Sequence, residues 1–177
     1  MALIPGTFST TRWLGVVSYL ASTFFCFLAW QRGQRRSVDT KVFAVLSTVH
    51  FLLLLDMFFE WRWALHEFWI HSAMQLGLYG ERRVPQRVVL SILSLTIVTA
   101  TVWVIRLWRL RPGVALSSLG TLGAVVVWCC EWISYHDLDR VFYQRIGDVM
   151  AVSLLWVLFA AWTCLGVWLN IRARCGA

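Results

Sequence analysis

The sequence predicts an all-α fold, a polytopic transmembrane helical bundle of about five spans, and three observations predict it. The 177 residues are 59% hydrophobic and 14% charged, whereas soluble domains carry about a quarter charged residues. The mean hydropathy is +0.68. Charge-free stretches cover 13–31, 88–105, 113–130 and 149–171, each near the ~20 residues that a ~30 Å hydrocarbon layer requires. Twelve Trp and eleven Phe suit the same setting, because amphipathic rings gather where hydrocarbon meets headgroups. At this length residues 1–177 are expected to form a single integral membrane domain.

The first span is predicted at 13–31. It is too long for the apolar core of a secretory signal, and its basic cluster Arg32, Arg35 and Arg36 follows the run instead of preceding it. A helix is therefore expected that stays in the membrane.

The second span, 42–61, is the unusual one. It is apolar to Leu55 except for His50, then meets Asp56 and Glu60 before the hydrocarbon should end. Neither Gly nor Pro interrupts it before Gly77, so one helix extending to about residue 76 is expected, about 54 Å long if it reached Gly77. Its outer part would project from the membrane or lie along it, with Trp61, Trp63 and Trp69 suited to the interface.

The third span, 88–106, and the fourth, 113–131, are joined by so short a connection that they must be antiparallel neighbours. Pro112 fits the first turn of the fourth helix, where a missing N–H costs nothing. The fifth span, 149–171, follows the charged segment 136–148.

Alternate connections collect nine Lys and Arg with one carboxylate on one side, and seven basic residues with eight carboxylates on the other. The richer basic side is expected to be cytoplasmic, placing the N-terminus outside and the C-terminus inside. The expected location is the bacterial cytoplasmic (inner) membrane. The net charge of +7 then points to anionic headgroups on the cytoplasmic side. Nucleic acid is excluded as a partner, since too little chain is free of the membrane to build a basic patch on a water-exposed surface.

Five cysteines, Cys26, Cys129, Cys130, Cys164 and Cys175, form no CxxC and no even framework, so they read as small packing residues. No G-x-S-x-G, P-loop or H-E-x-x-H pattern occurs, so no motif assigns an enzyme activity.

The candidate site comes from polar residues on apolar helices. At about 100° per residue, Asp56, Glu60, Glu67 and His71 share an arc of about 60° on the second helix. On the fourth, Gly113, Ser117, Gly120 and Ala124 form a small-residue stripe for helix packing, expected to face the second helix. The same face leads on to Glu131 and Tyr135. Rise per residue puts Glu60 and Glu131 both about 27 Å across the membrane, and they are expected to turn toward each other.

Three readings of this cluster compete. Glu60, Glu67, His71, Glu131 and His136 offer carboxylate and imidazole to a transition metal, although di-iron bundles use Glu-x-x-His at a spacing of three and twice over. Asp56, Glu60, Glu131 and Tyr135 offer a proton or cation relay. In the third reading the acids pair with Arg62, Arg82, Arg83, Arg140 and Arg145 in a structural cap. The inner half supplies only His50 and the hydroxyls of Ser91, Ser94, Thr96 and Thr99 to a continuing path, and His50 is expected to hydrogen-bond a neighbouring helix. A haem is confined to the outer edge, where His136 and either His66 or His71 are at matching depth. The function expected is a scaffold or accessory subunit of a larger membrane complex, with other membrane protein subunits or a second copy of the chain as partners. The alternative is a metal-binding or proton- or cation-handling protein of redox or transport type.

Overall fold

The computed structural model describes residues 9–33, 38–77, 80, 83–108, 111–133 and 136–175. Helix α1 spans Thr10–Arg32, α2 Val38–Phe59, α3 Trp61–Gln75, α4 Arg83–Trp108, α5 Pro112–Ile133, α6 His136–Phe142 and α7 Ala151–Cys175. Five of them, α1, α2, α4, α5 and α7, are long and apolar enough to cross a membrane. The spans read from the sequence at 13–31, 88–106 and 113–131 lie inside α1, α4 and α5, whereas 42–61 runs past the end of α2 and 149–171 begins two residues before α7.

Local chemistry sets the ends. Ser9 caps α1 by accepting from the Arg12 N–H, which satisfies one of the donors a helix N-terminus leaves open. Pro112 occupies the first position of α5, where its locked φ suits the helix. Strands β1 (Arg145–Ile146) and β2 (Val149–Met150) pair antiparallel before α7. Gly147, at φ +63°, supplies the left-handed first turn residue that such a tight hairpin needs.

One expectation is corrected. The second helix does not run unbroken to residue 76: it stops at Phe59, and Glu60 takes the left-handed conformation (φ 56°, ψ 36°) before α3 begins. That backbone costs a residue with a Cβ about 1–2 kcal/mol, so the contacts around it must compensate. They do so on both sides of the break. Arg12 donates from Nε to the Met57 carbonyl (2.5 Å) and from Nη2 to the Phe58 carbonyl (2.9 Å), covering acceptors that a helix C-terminus leaves open. The Asp56 carboxylate accepts from the Arg62 backbone N–H at 3.0 Å, so the last turn of α2 caps the first turn of α3.

In the bundle, α1 packs against α2 and α7, α7 runs along α5, and α2 and α5 also meet; α4 packs mainly on α5. The α5 and α7 backbones approach closely. A Cβ on Gly120 would lie 2.6 Å from the Phe159 carbonyl oxygen and 2.7 Å from the Thr163 nitrogen, and one on Gly113 would lie 2.7 Å from Asn170 N and Gly166 O. Ser117 and Ala124 are fully buried on the same stripe. The stripe of Gly113, Ser117, Gly120 and Ala124 thus lies against the fifth span, not the second. The reason is reciprocal shape: α7 brings its own Gly166, where a Cβ would meet the Ser117 backbone at 2.4 Å, and dispersion between close backbones drives helix association in lipid. Helix α2 has no glycine.

The core divides along the bundle. Tyr19, Met57, Ala124, Val152 and Trp156 pack toward the Glu60 end, and Cys26, Phe43, Val114 and Val167 toward the other. Helix α4 stands apart, with 6% of its span buried against 39% to 56% in the other four.

Candidate polar site at the α2–α3 break

The break between α2 and α3 turns Arg62 into the bundle. Its side chain is 9% exposed and lies between two carboxylates that are each 2% exposed. Nη1 is 3.2 Å from Glu131 Oε2 and 3.5 Å from Asp56 Oδ2. The guanidinium carbon sits 5.3 Å from the centroid of Trp156 on α7, within the range in which an aromatic face attracts a cation. Trp128 on α5 donates its indole N–H to Asp56 Oδ2 at 3.1 Å. Four helices, α2, α3, α5 and α7, therefore converge on one buried cation. Arginine suits this position because its planar fork serves several acceptors while its face stacks on a ring.

Glu60 and Glu131 do not meet. Glu60 is half exposed and pairs with Arg12 of α1 at 2.7 Å, because the left-handed residue at the break points its side chain away from α5. Glu131 faces Arg62. Glu67 and His71 are exposed on α3, and His71 Nδ1 lies 2.9 Å from the Glu67 carbonyl oxygen; against a carbonyl only an N–H can bond, so that nitrogen is committed to its own helix. Tyr135 and the His136 side chain lie outside the described residues. Among the described residues no group of three or more His, Cys, Asp or Glu side chains is placed to hold one metal ion.

Outside the spans, Tyr143 packs beside Trp63, with ring centroids 6.1 Å apart. Burial, reinforced by the Glu131 and Asp139 carboxylates, pushes the pKa of its hydroxyl well above the usual tyrosine range.

Deeper in the bundle a second polar group forms. His50, fully buried, has Nε2 3.0 Å from Thr121 Oγ1 and 3.4 Å from Thr163 Oγ1. Both hydroxyls spend their protons on backbone carbonyls, Thr121 on Ser117 O and Thr163 on Phe159 O, each at 3.0 Å. The imidazole must therefore be the donor through Nε2–H, which leaves Nδ1 as a bare acceptor. Nδ1 has no hydrogen-bond partner among the described residues, and neither has the hydroxyl of Tyr19, whose ring centroid is 6.0 Å from that of His50. The hydroxyls of Ser91, Ser94, Thr96 and Thr99 do not join this group. Each is exposed on α4 and bonds back to a carbonyl of its own helix.

Comparison with family models, curated proteins and solved structures finds no match.

In the sequence Arg62 is one of several arginines of the outer cap, and helix periodicity does not single it out. On an unbroken helix it would sit about 120° from Asp56, facing elsewhere. Nor does any local pattern mark Arg12, Trp128 or Trp156, which reach the site from helices distant in sequence. The usable signal was Arg62 itself, a basic residue within an acidic run at the hydrocarbon edge.

Proposed function

We propose that the chain is a small scaffold or accessory subunit of a larger membrane complex. It is assigned to the bacterial cytoplasmic membrane with its N-terminus outside and its C-terminus inside. The carrying observation is the pairing of both buried carboxylates, Asp56 and Glu131, with the chain's own Arg62. Acids tied this way fix helix positions instead of binding substrate. The weakly covered α4, with Leu95 69%, Ile92 61% and Val98 60% exposed, is the helix a partner subunit would pack against. Its test is extraction of the native membrane with polymer that retains surrounding lipid, followed by native electrophoresis and mass spectrometry. Migration with defined partner subunits at fixed stoichiometry supports the reading; a chain that extracts alone at every polymer concentration overturns it.

A second reading, proton or cation handling, is favoured by one observation. A single guanidinium serves two carboxylates, so the cluster has one negative charge in excess when both are ionised. Beneath it lie the Tyr19 hydroxyl and His50 Nδ1, two buried polar groups with no hydrogen-bond partner among the described residues. Buried polar groups of this kind within spans mark ion and proton pathways. Protein reconstituted in vesicles with an internal pH dye discriminates the two readings. Proton leak abolished by Glu131→Gln and His50→Leu supports handling, and flux equal to that of empty vesicles excludes it. Elemental analysis of detergent-purified protein tests the metal variant of this reading.

A further inference from the structure

Helices α2, α4 and α5 enclose an open groove of about 460 Å³. Its walls are almost wholly hydrocarbon, from Val45, Val104 and Val125 among others, with Trp103 at the rim. On α2 it extends from Val38 to Val49, about 16 Å at the helical rise. That is close to half of a ~30 Å hydrocarbon layer, the depth of one leaflet.

The groove carries a charged lining residue at one end only. Lys41 lines it there, on the first turn of α2, and Arg106 lies at the matching end of α4, three residues beyond Trp103. Both cations are exposed, and among the described residues neither has an ion-pair partner, whereas the neighbouring Asp39 is taken by Arg111. Farther in, Ser118 lines the wall. It is 8% exposed and its hydroxyl has no hydrogen-bond partner among the described residues, an unusual state for a buried donor, which normally finds an acceptor.

We propose that this groove is a binding site for one anionic phospholipid of the leaflet on the Lys41 side. One of its acyl chains occupies the apolar trough against Val45 and Val125, and the phosphate sits between Lys41 and Arg106. The Ser118 hydroxyl, on the groove wall and without a partner among the described residues, is assigned as the donor to the acyl ester. The charge pattern selects this occupant. A neutral isoprenoid or a partner helix would fill the trough but leave both cations unused. A free phosphate would meet the cations but not the trough.

The test uses the full chain, stripped of lipid in detergent and titrated with phosphatidylglycerol or phosphatidylcholine of identical chains, with bound lipid counted by native mass spectrometry. One phosphatidylglycerol per chain is expected to bind in clear preference to phosphatidylcholine. Lys41→Gln is expected to weaken phosphatidylglycerol about five-fold, the loss anticipated for one basic residue at a lipid surface, and to weaken phosphatidylcholine less, because its choline cation offsets the phosphate charge. Val45→Trp, at a position 61% exposed where added bulk leaves the core intact, is expected to block the trough and release both lipids. Circular dichroism confirms folding of each variant, and Ser118→Ala supplies a second, mild change with weaker binding expected. Equal binding of the two lipids, no effect of Lys41→Gln, or full binding by folded Val45→Trp each overturns the proposal. So does preferential retention of a neutral lipid.

Discussion

Asp56 and Arg62 meet twice, once through the Arg62 backbone N–H at 3.0 Å and once through its guanidinium at 3.5 Å. The first contact starts α3 and the second closes the core. One aspartate thereby couples a change in chain direction to a buried charge cluster. Removing its partner should affect both.

Arg62→Ala is expected to destabilise the protein by about 3–5 kcal/mol, because it strands Asp56 and Glu131 in a low-dielectric site. Denaturation in mixed detergent micelles, followed by far-UV circular dichroism, measures it. The triple change Arg62→Met, Asp56→Asn and Glu131→Gln is expected to recover most of the loss, since neutral groups need no counter-charge. A triple variant no more stable than the single one would mean that packing, not charge, is what Arg62 contributes.

Arg12 and Glu60 form the exposed counterpart of that cluster. A half-exposed pair of this kind adds only about 0.2–1 kcal/mol and weakens with salt. Glu60→Gln is therefore expected to be mild and to lose its effect at high ionic strength. Arg12→Gln is expected to cost more, because Arg12 also covers the Met57 and Phe58 carbonyls. Urea or detergent melts at low and high salt separate the two contributions.

Gly120→Ala is expected to destabilise by about 1–3 kcal/mol, the usual cost of forcing extra bulk into a packed interior. The new Cβ meets backbone atoms of α7, which cannot rotate aside. Gly80→Ala, where nothing lies within 4 Å, serves as the neutral control. Thermal scattering assays in detergent rank the two.

Alkaline pH should expose the Tyr143 environment. The folded protein holds the Tyr143 proton more tightly than the unfolded chain does, so this contribution is complete below the ordinary tyrosine value of 10.0 and declines as pH rises above it. Tyr143→Phe is expected to make stability fall less steeply above that value while leaving neutral pH nearly unaffected. Melting curves in neutral and alkaline buffers decide it, and parallel loss in both proteins would reject the assignment.

The five membrane helices were legible in the sequence because the signal is local. A run of about 20 apolar residues has one stable form in lipid, the helix that satisfies its own backbone, and that requirement is written residue by residue. The small residues of α5 were also legible as a packing stripe, though not which helix they face. That depended on Gly166 lying opposite Gly113 and Ser117 in space, about fifty residues farther along the chain.

Only the tertiary structure decided the site. Helix periodicity presumes an unbroken axis, and Glu60 breaks it without Gly or Pro, held in its left-handed state by Arg12 from α1 and by Asp56 capping the next helix. Once the axis turns, the facing set changes from Glu60 with Glu131 to Arg62 with Asp56 and Glu131. The physical reason is that composition and local pattern determine whether a segment enters lipid, whereas the direction in which a charged side chain points is set by neutralisation across helices distant in sequence.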